Sequence, residues 1–252
     1  MNKKEIIVIS ILTVLLAFMD ITGIPSTLFF NFNIKDIEPI YWSLMINFII
    51  MGIISYITIR CLCPNWKLGF TKNNLKIGLK NYGIVGILVG MISGIAFFLG
   101  LKINFRPSIY KLLIEGIIYY IGVAIVEELY VRGLLLNLIE KVYDKNKNKT
   151  LIAIIASSTI FGLGHIFGVL DQPLLIIVTK VIWTIAMGMY FGTIYKKTNN
   201  IWLPIILHFI INICAIPYCF TTTTTYPTIS LYIILPTYIL LGIYSLYIMK
   251  KR

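Results

Sequence analysis

Residues 109–139 read IYKLLIEGIIYYIGVAIVEELYVRGLLLNLI, an almost unbroken apolar run interrupted in its second half by Glu127, Glu128 and Arg132. A membrane-spanning helix needs roughly 20 mostly apolar residues. This run is long for one span, which implies a helix that is tilted or that extends beyond the bilayer. Seven further runs flank it: Glu5–Ile24, Pro39–Leu62, Tyr82–Leu101, Leu151–Leu170, Leu174–Tyr195, Ile201–Phe220 and Ile229–Met249. Of the 252 residues, 58% are hydrophobic and 13% charged, and the mean hydropathy is +0.88. A soluble domain must cover itself with more polar surface than that. The expected fold is therefore an all-α polytopic membrane helix bundle of about eight transmembrane helices.

Basic residues test that count, because they collect on the cytoplasmic side of membrane helices. With the N-terminus inside, the inner segments hold Lys3, Lys4, Arg60, Lys67, Lys72, Lys76, Lys80, Lys141, Lys145, Lys147, Lys149, Lys196, Lys197, Lys250, Lys251 and Arg252. The outer segments hold only Lys35, Lys102, Arg106 and Lys111. Both termini are thus expected to be cytoplasmic. The net charge of +12 serves this orientation and not nucleic-acid binding, since no separate basic domain exists. Met1–Ile24 lacks a small-residue cleavage site and is expected to stay as the first helix. Pro64–Tyr82, with Leu68, Phe70, Leu75, Ile77 and Leu79 among lysines, is either a segment lying on the inner membrane surface or a solvated loop. The Thr221–Thr225 outer loop suggests no function, and no repeat is evident. Cys61 and Cys63 form a lone C-x-C, far from a zinc-site pattern. Cys214 and Cys219 lie near the end of an apolar run, where thiols behave as small hydrophobes. None of the four is read as catalytic.

Ionisable side chains inside a span cost at least ~2.5–3.5 kcal/mol each on insertion scales, and they concentrate in three places. In the first, Glu128 and Arg132 are i,i+4 neighbours on one helix face. Glu127 points about 100° away and need not share that arginine, which leaves it in a low-dielectric setting suited to general-base work. A pair that only locks helices together explains one glutamate but not the second. The second place is Phe161-Gly162-Leu163-Gly164-His165, where Gly162, Gly164 and Gly168 allow another backbone close to His165. In the third, His208 and Asn212 share a face, and Pro204 is expected to disturb the helix entering the site. His165 and His208 are the only histidines of the chain. Lys180, inside the sixth span, is assigned no role, snorkelling to an interface being its plainest account. Straight spans put His165 toward the outer end and Arg132 and His208 nearer the inner side, so a shared site requires broken or displaced helices, or shifted span boundaries.

E-E-x-x-x-R, F-x-x-x-H and H-x-x-x-N, in this order on three membrane helices, resemble the CPBP family of intramembrane proteases, which covers CAAX prenyl proteases and bacteriocin-processing proteins and is also called Abi. The run Gly188-Met189-Tyr190-Phe191-Gly192 through Thr198, Trp202, Pro204 and His208 is similar to the region of the family's third motif. The resemblance covers Ile109–Ala215. It implies a division into residues 1–108 as N-terminal helices of the same membrane domain, 109–216 as the catalytic core, and 217–252 as an outer loop and last helix. It further implies that Glu127 activates water, that His165 holds the water or shuttles its proton, and that His208 and Asn212 donate to the oxyanion. Glu128 and Arg132, with Phe161, would support the site. The same resemblance favours a mechanism without metal. Zinc held by Glu127, His165 and His208 is the alternative, since two histidines and a glutamate are a common catalytic set, although H-E-x-x-H is absent.

The expected function is an intramembrane endopeptidase acting on membrane-associated or lipidated polypeptides. Its expected partners are membrane lipids and a peptide or membrane-protein substrate, and its expected location is a bacterial plasma membrane. The resemblance also suggests bacteriocin processing or self-immunity. A non-catalytic bacteriocin immunity protein and a proton-coupled transporter are the competing classes. The transporter reading is weakened because the buried ionisable groups occupy only the fourth to seventh spans, whereas transporters often carry matched halves.

Overall fold

The computed structural model describes residues 39–100, 109–215 and 228–251, with six isolated positions between 7 and 15. Apart from those six positions, the expected span Glu5–Ile24 lies outside the described residues, as do Cys219 and the Thr221–Thr225 loop. The other seven apolar runs are helical through nearly all of their described residues, and no strand occurs among the described residues. Helix α1 is Pro39–Leu62. Helix α2, Leu75–Gly78, passes through a π-helical turn, Leu79–Gly83, into α3, Ile84–Gly100. Helix α4, Ile109–Glu128, passes through a longer π-helical stretch, Leu129–Leu136, into α5, Asn137–Val142. Helix α6, Lys149–Gly164, tightens into a 3₁₀ segment, His165–Val169. Helices α7, Leu174–Thr198, α8, Trp202–Cys214, and α9, Thr228–Lys250, complete the set.

Four stretches are long and apolar enough to cross a membrane: Leu75–Leu99, Lys149–Val169, Leu174–Thr198 and Ser230–Lys250. Ile46–Cys61 and Trp202–Cys214 are shorter apolar helices. Ile84, Leu88, Ile95 and Phe98 on α3, and Tyr232, Leu240, Ile243 and Tyr247 on α9, point outward. Apolar surface on this scale needs lipid rather than water beside it.

The short α8 sits at the centre, packed on α3, α4 and α7; α9 covers α7 and α3, α6 lies along α7, and α1 lies along α4. Residues from the three long described stretches share one core, from Phe48 and Met51 to Ile234 and Tyr238. Small residues set the α6–α7 spacing, as expected for membrane helices. A Cβ on Gly188 would lie 3.0 Å from that of Ser158, and one on Gly162 would strike Ile185. Gly168, by contrast, faces open space, so of the three glycines near His165 it does not serve close packing.

One end of the bundle is tied together by polar side chains. Asn199, at φ 49°, ends α7 in the left-handed region, which Asn tolerates better than most residues. Asn200, fully buried, then accepts from the amides of Trp202 (2.9 Å) and Leu203 (3.3 Å) and caps the start of α8. Its Nδ2 donates to the carbonyls of Thr71 (2.8 Å) and Asn73 (2.7 Å). Asn74 donates to the Thr198 carbonyl at 3.0 Å. Gly69, at φ 77°, lies so close to Asn199 that any Cβ would overlap its backbone. Lys196 bonds Glu140, Thr150 bonds the other oxygen of Glu140, and Lys197 reaches the Lys251 carbonyl. Loops 63–74, 143–148 and 199–201 and the end of α9 therefore share one face, here called the basic end. At the opposite end Ser230 bonds the Ala96 carbonyl at 2.8 Å.

Two expectations are corrected here. Pro64–Tyr82 divides: residues 64–74 are a mostly exposed loop anchored by Leu68 in the core, whereas Leu75–Tyr82 forms the first turns of the helix that becomes α3. Pro204 does not disturb α8, because it is the helix's third residue, where no intrahelical amide bond is lost.

Replacing Asn200 by Ala strands two carbonyls and two amides, each unmade buried bond costing about 1–3 kcal/mol. The variant is expected to lose much of its thermal stability in detergent, and an unchanged midpoint would show the clamp to be dispensable. Burial pushes the Glu140 carboxyl up, but its bonds to Lys196 and Thr150 outweigh this and hold it below the usual carboxylate range. Stability from this group is then present above the unfolded-state value and lost as pH falls through the lowered folded value. Acid titration of thermal stability should show a shallower decline for Glu140→Gln than for wild type.

Candidate active site

The π-helical stretch starts directly after Glu127-Glu128, and all eight of its residues are buried. Wider turns of this kind recur at functional sites. They leave carbonyls without their usual helical donor, and Asn137 supplies one: its Nδ2 donates to Arg132 O (3.1 Å) and Gly133 O (3.0 Å) and lies 3.2 Å from the Tyr195 hydroxyl.

Within this frame the expected ion pair forms. Arg132 Nη1 donates to Glu128 Oε1 at 2.8 Å, with both side chains essentially inaccessible. Nη2 donates to the Gly188 carbonyl at 3.1 Å. The guanidinium also lies against Phe161 and Phe191, 4.9 Å and 5.4 Å from their ring centroids. Phe161 thus acts through Arg132 and the histidines: its ring is edge-on to His165 at 4.6 Å and to His208 at 6.3 Å.

The sequence does not reveal the third partner of this group. His208 Nδ1 lies 2.8 Å from the same Glu128 Oε1. An ionised carboxylate only accepts, so Nδ1 carries the proton and donates. The other ring nitrogen, Nε2, then faces Glu127 Oε2 at 3.6 Å. Glu128 therefore holds two elements, the π stretch through Arg132 and α8 through His208. His165 Nδ1 lies 2.8 Å from the Phe161 carbonyl, which again accepts only. With Nδ1 carrying the proton, a neutral His165 ring would present its Nε2 lone pair.

Glu127, His165, His208 and Asn212 line one cavity of about 370 Å³. The displaced helices needed to join them prove modest: α6 gives way to a 3₁₀ segment at His165, and α8 is only 13 residues long. Phe161 lies one turn before His165, at the depth of Arg132, which lies one turn past Glu127. Lys180 is corrected by the same cavity. It does not snorkel away but lines the space shared with Glu127, its ammonium 4.8 Å from the Trp183 ring centroid. Its neighbour Thr184 bonds the Lys180 carbonyl.

A zinc site would need three converging ligands. Among the described residues no group of three His, Cys, Asp or Glu side chains comes together in that way. Nδ1 of each histidine is already committed, to Glu128 and to the Phe161 carbonyl. Nε2 of each ring is then the nitrogen left for a water, a substrate or a metal, as it is in zinc-binding histidines whose other N–H is held by a carboxylate or carbonyl. Cys61, Cys63 and Cys214 form no disulfide among the described residues and lie outside the cavity lining.

Residues 109–214 match the family model described as Rce1-like, Type II CAAX prenyl endopeptidase Rce1-like. The match agrees with the resemblance carried by the three motifs and supports a membrane protein of CAAX-type protease character. No curated protein and no solved structure matches the chain.

Removing one partner of a buried ion pair costs about 3–5 kcal/mol, because the other charge is left uncompensated. Arg132→Met should lower thermal stability in detergent by that order, and Arg132→Lys should not restore it, since an ammonium lacks the planar fork that serves Glu128 and Gly188 together. The double variant Glu128→Gln/Arg132→Met is expected to lose less than Arg132→Met alone; an equal or larger loss would refute the pairing argument.

Proposed function

We propose that the chain is an intramembrane endopeptidase in which Glu127 activates water for attack on a peptide carbonyl. The observation that carries this reading is that Glu127, His165, His208 and Asn212, from three separate helical stretches, line one cavity in an otherwise apolar bundle. The match of residues 109–214 to a CAAX endopeptidase model supports it. The eight-span topology with both termini in the cytoplasm belongs to the same reading.

Water held between Glu127 and the Nε2 lone pair of His165 loses its proton to Glu127 as its oxygen attacks the carbonyl carbon. The resulting oxyanion takes hydrogen bonds from the Asn212 amide and from His208 Nε2. Since Nδ1–H of His208 is given to Glu128, Nε2 donates only when the ring carries both protons, and the Glu127 and Glu128 carboxylates together then balance the charges of His208 and Arg132. Glu127 then returns its proton to the leaving amine nitrogen as the C–N bond breaks. The apolar walls matter because preorganised donors act most strongly where water is scarce. Glu128 and Arg132 touch no substrate in this scheme: they position His208 and the π stretch. The substrate is a membrane-associated or lipidated polypeptide, with bacteriocin processing or self-immunity as the suggested setting.

Purified protein in detergent should cleave members of a quenched peptide library containing CAAX-like and leader-like sequences. Glu127→Gln should reduce kcat/KM by at least ~10²-fold, the lower range for a lost general base. Asn212→Ala should cost about 10²-fold in kcat. A strong chelator should leave the rate unchanged. Equal cleavage by Glu127→Gln would remove Glu127 from the chemistry. Loss on chelation with recovery in zinc would replace this mechanism by a metal-dependent one. A folded wild type that cleaves nothing would favour a binding role, such as immunity without catalysis.

A further inference from the structure

The cavity is not centred in the bundle. Its lining comes from the halves of the helices remote from the basic end: Phe97 near the close of α3, Gly168 beyond the close of α6, Lys180 and Trp183 early in α7, Asn212 near the close of α8 and Ile234 early in α9. Below Glu127, toward the basic end, the interior is closed. Arg132, Leu134, Tyr190, Phe191 and Leu207 are each at most 1% exposed, and the Tyr190 hydroxyl donates to the Tyr82 carbonyl across that layer at 2.6 Å. The pocket at the basic end, lined by Lys67, Glu140, Lys141 and Lys196 among others, shares no residue with the cavity. Accessibility follows the same axis. Glu128 and His208 are buried, Glu127, His165 and Asn212 are half-buried, and Gly168 is exposed.

Charge gives this axis a direction. Lys67, Lys72, Lys76, Lys80, Lys141, Lys145, Lys147, Lys149, Lys196, Lys197, Lys250 and Lys251 all lie toward the closed end, which the positive-inside rule assigns to the cytoplasm. We propose that the cavity is entered from the extracytoplasmic face, so that the substrate is an exported or outward-facing polypeptide whose scissile bond reaches the outer half of the membrane. The substrate class rests on the proteolytic reading above; the side of entry does not. Peptides confined to the cytoplasm would meet the layer of Arg132, Tyr190 and Phe191 and have no path to Glu127.

The test is thiol accessibility in bacterial cells expressing the full chain, with the four native cysteines replaced and single cysteines introduced as Gly168→Cys, Lys180→Cys and Lys145→Cys. None of these positions belongs to the catalytic set, and Gly168 has open space around a Cβ. A membrane-impermeant thiol reagent applied to intact cells should modify Gly168→Cys and Lys180→Cys. Lys145→Cys should react only after permeabilisation, and inside-out vesicles should reverse the pattern. If the cysteine-free chain does not accumulate, the same substitutions in the native background, read as labelling above wild type, decide the question. Labelling of Lys180→Cys from the basic side alone overturns the proposal. Right-side-out vesicles that cut an added impermeant peptide, when inside-out vesicles do not, would support the substrate class. A cavity labelled from outside in a chain that cleaves nothing would sink the proteolytic reading and leave the side of entry standing.

Discussion

Glu128 Oε1 accepts from Arg132 and from His208, both at 2.8 Å, inside a side chain with no accessible surface, and the rest of the bundle is arranged around that double contact. Each of these groups alone is a burden in a membrane interior, where an unpaired charge has neither water nor counter-ion. Together they form a neutral pair with an imidazole attached, and the remaining guanidinium surface is taken up by the Gly188 carbonyl and two aromatic rings. Four helical stretches meet there: the end of α4 with its π continuation, α6 through Phe161, α7 through Gly188, and α8 through His208. Any rotation of one stretch leaves a buried charge unmatched. Such a contact contributes less to net stability than to selecting one arrangement of helices.

Much of this was legible in the residues. The helix period places Glu128 and Arg132 together and turns Glu127 aside, and the structure has the pair bonded and Glu127 lining the cavity. The same period joins His208 to Asn212 and Phe161 to His165. The grip of Glu128 on His208 was hidden, because periodicity says which residues share a face but not which face of another helix they meet. The π stretch was hidden for a related reason: Leu129–Leu136 has no local signal that separates it from an α-helix, and only the bonds of Asn137 reveal where its carbonyls need support. Asn200 reads as one polar residue in a turn, yet it makes four hydrogen bonds to backbone groups, two of them to residues 127 and 129 positions away. Lys180 misled because a lysine in a span is usually drawn to the nearest interface, while here a cavity lies nearer.

Rigidity and chemistry occupy opposite halves of the molecule. The basic end holds the asparagine clamp and the Glu140–Lys196–Thr150 group, where polar side chains fix the ends of α5, α6, α7 and α8. In the other half, α6 gives way to a 3₁₀ segment and α8 stops after 13 residues, so there is less helix to fill the interior and a cavity results. The proposed chemistry would need side chains held to within a fraction of an ångström beside an open cavity. A short helix capped and clamped at one end meets both needs: Asn200 sets where α8 begins, and His208 and Asn212 then fall on the cavity side at fixed height. Gathering the polar restraints at one end of the bundle leaves the cavity end free of them, so the clamp far from Glu127 sets the height of the residues beside it.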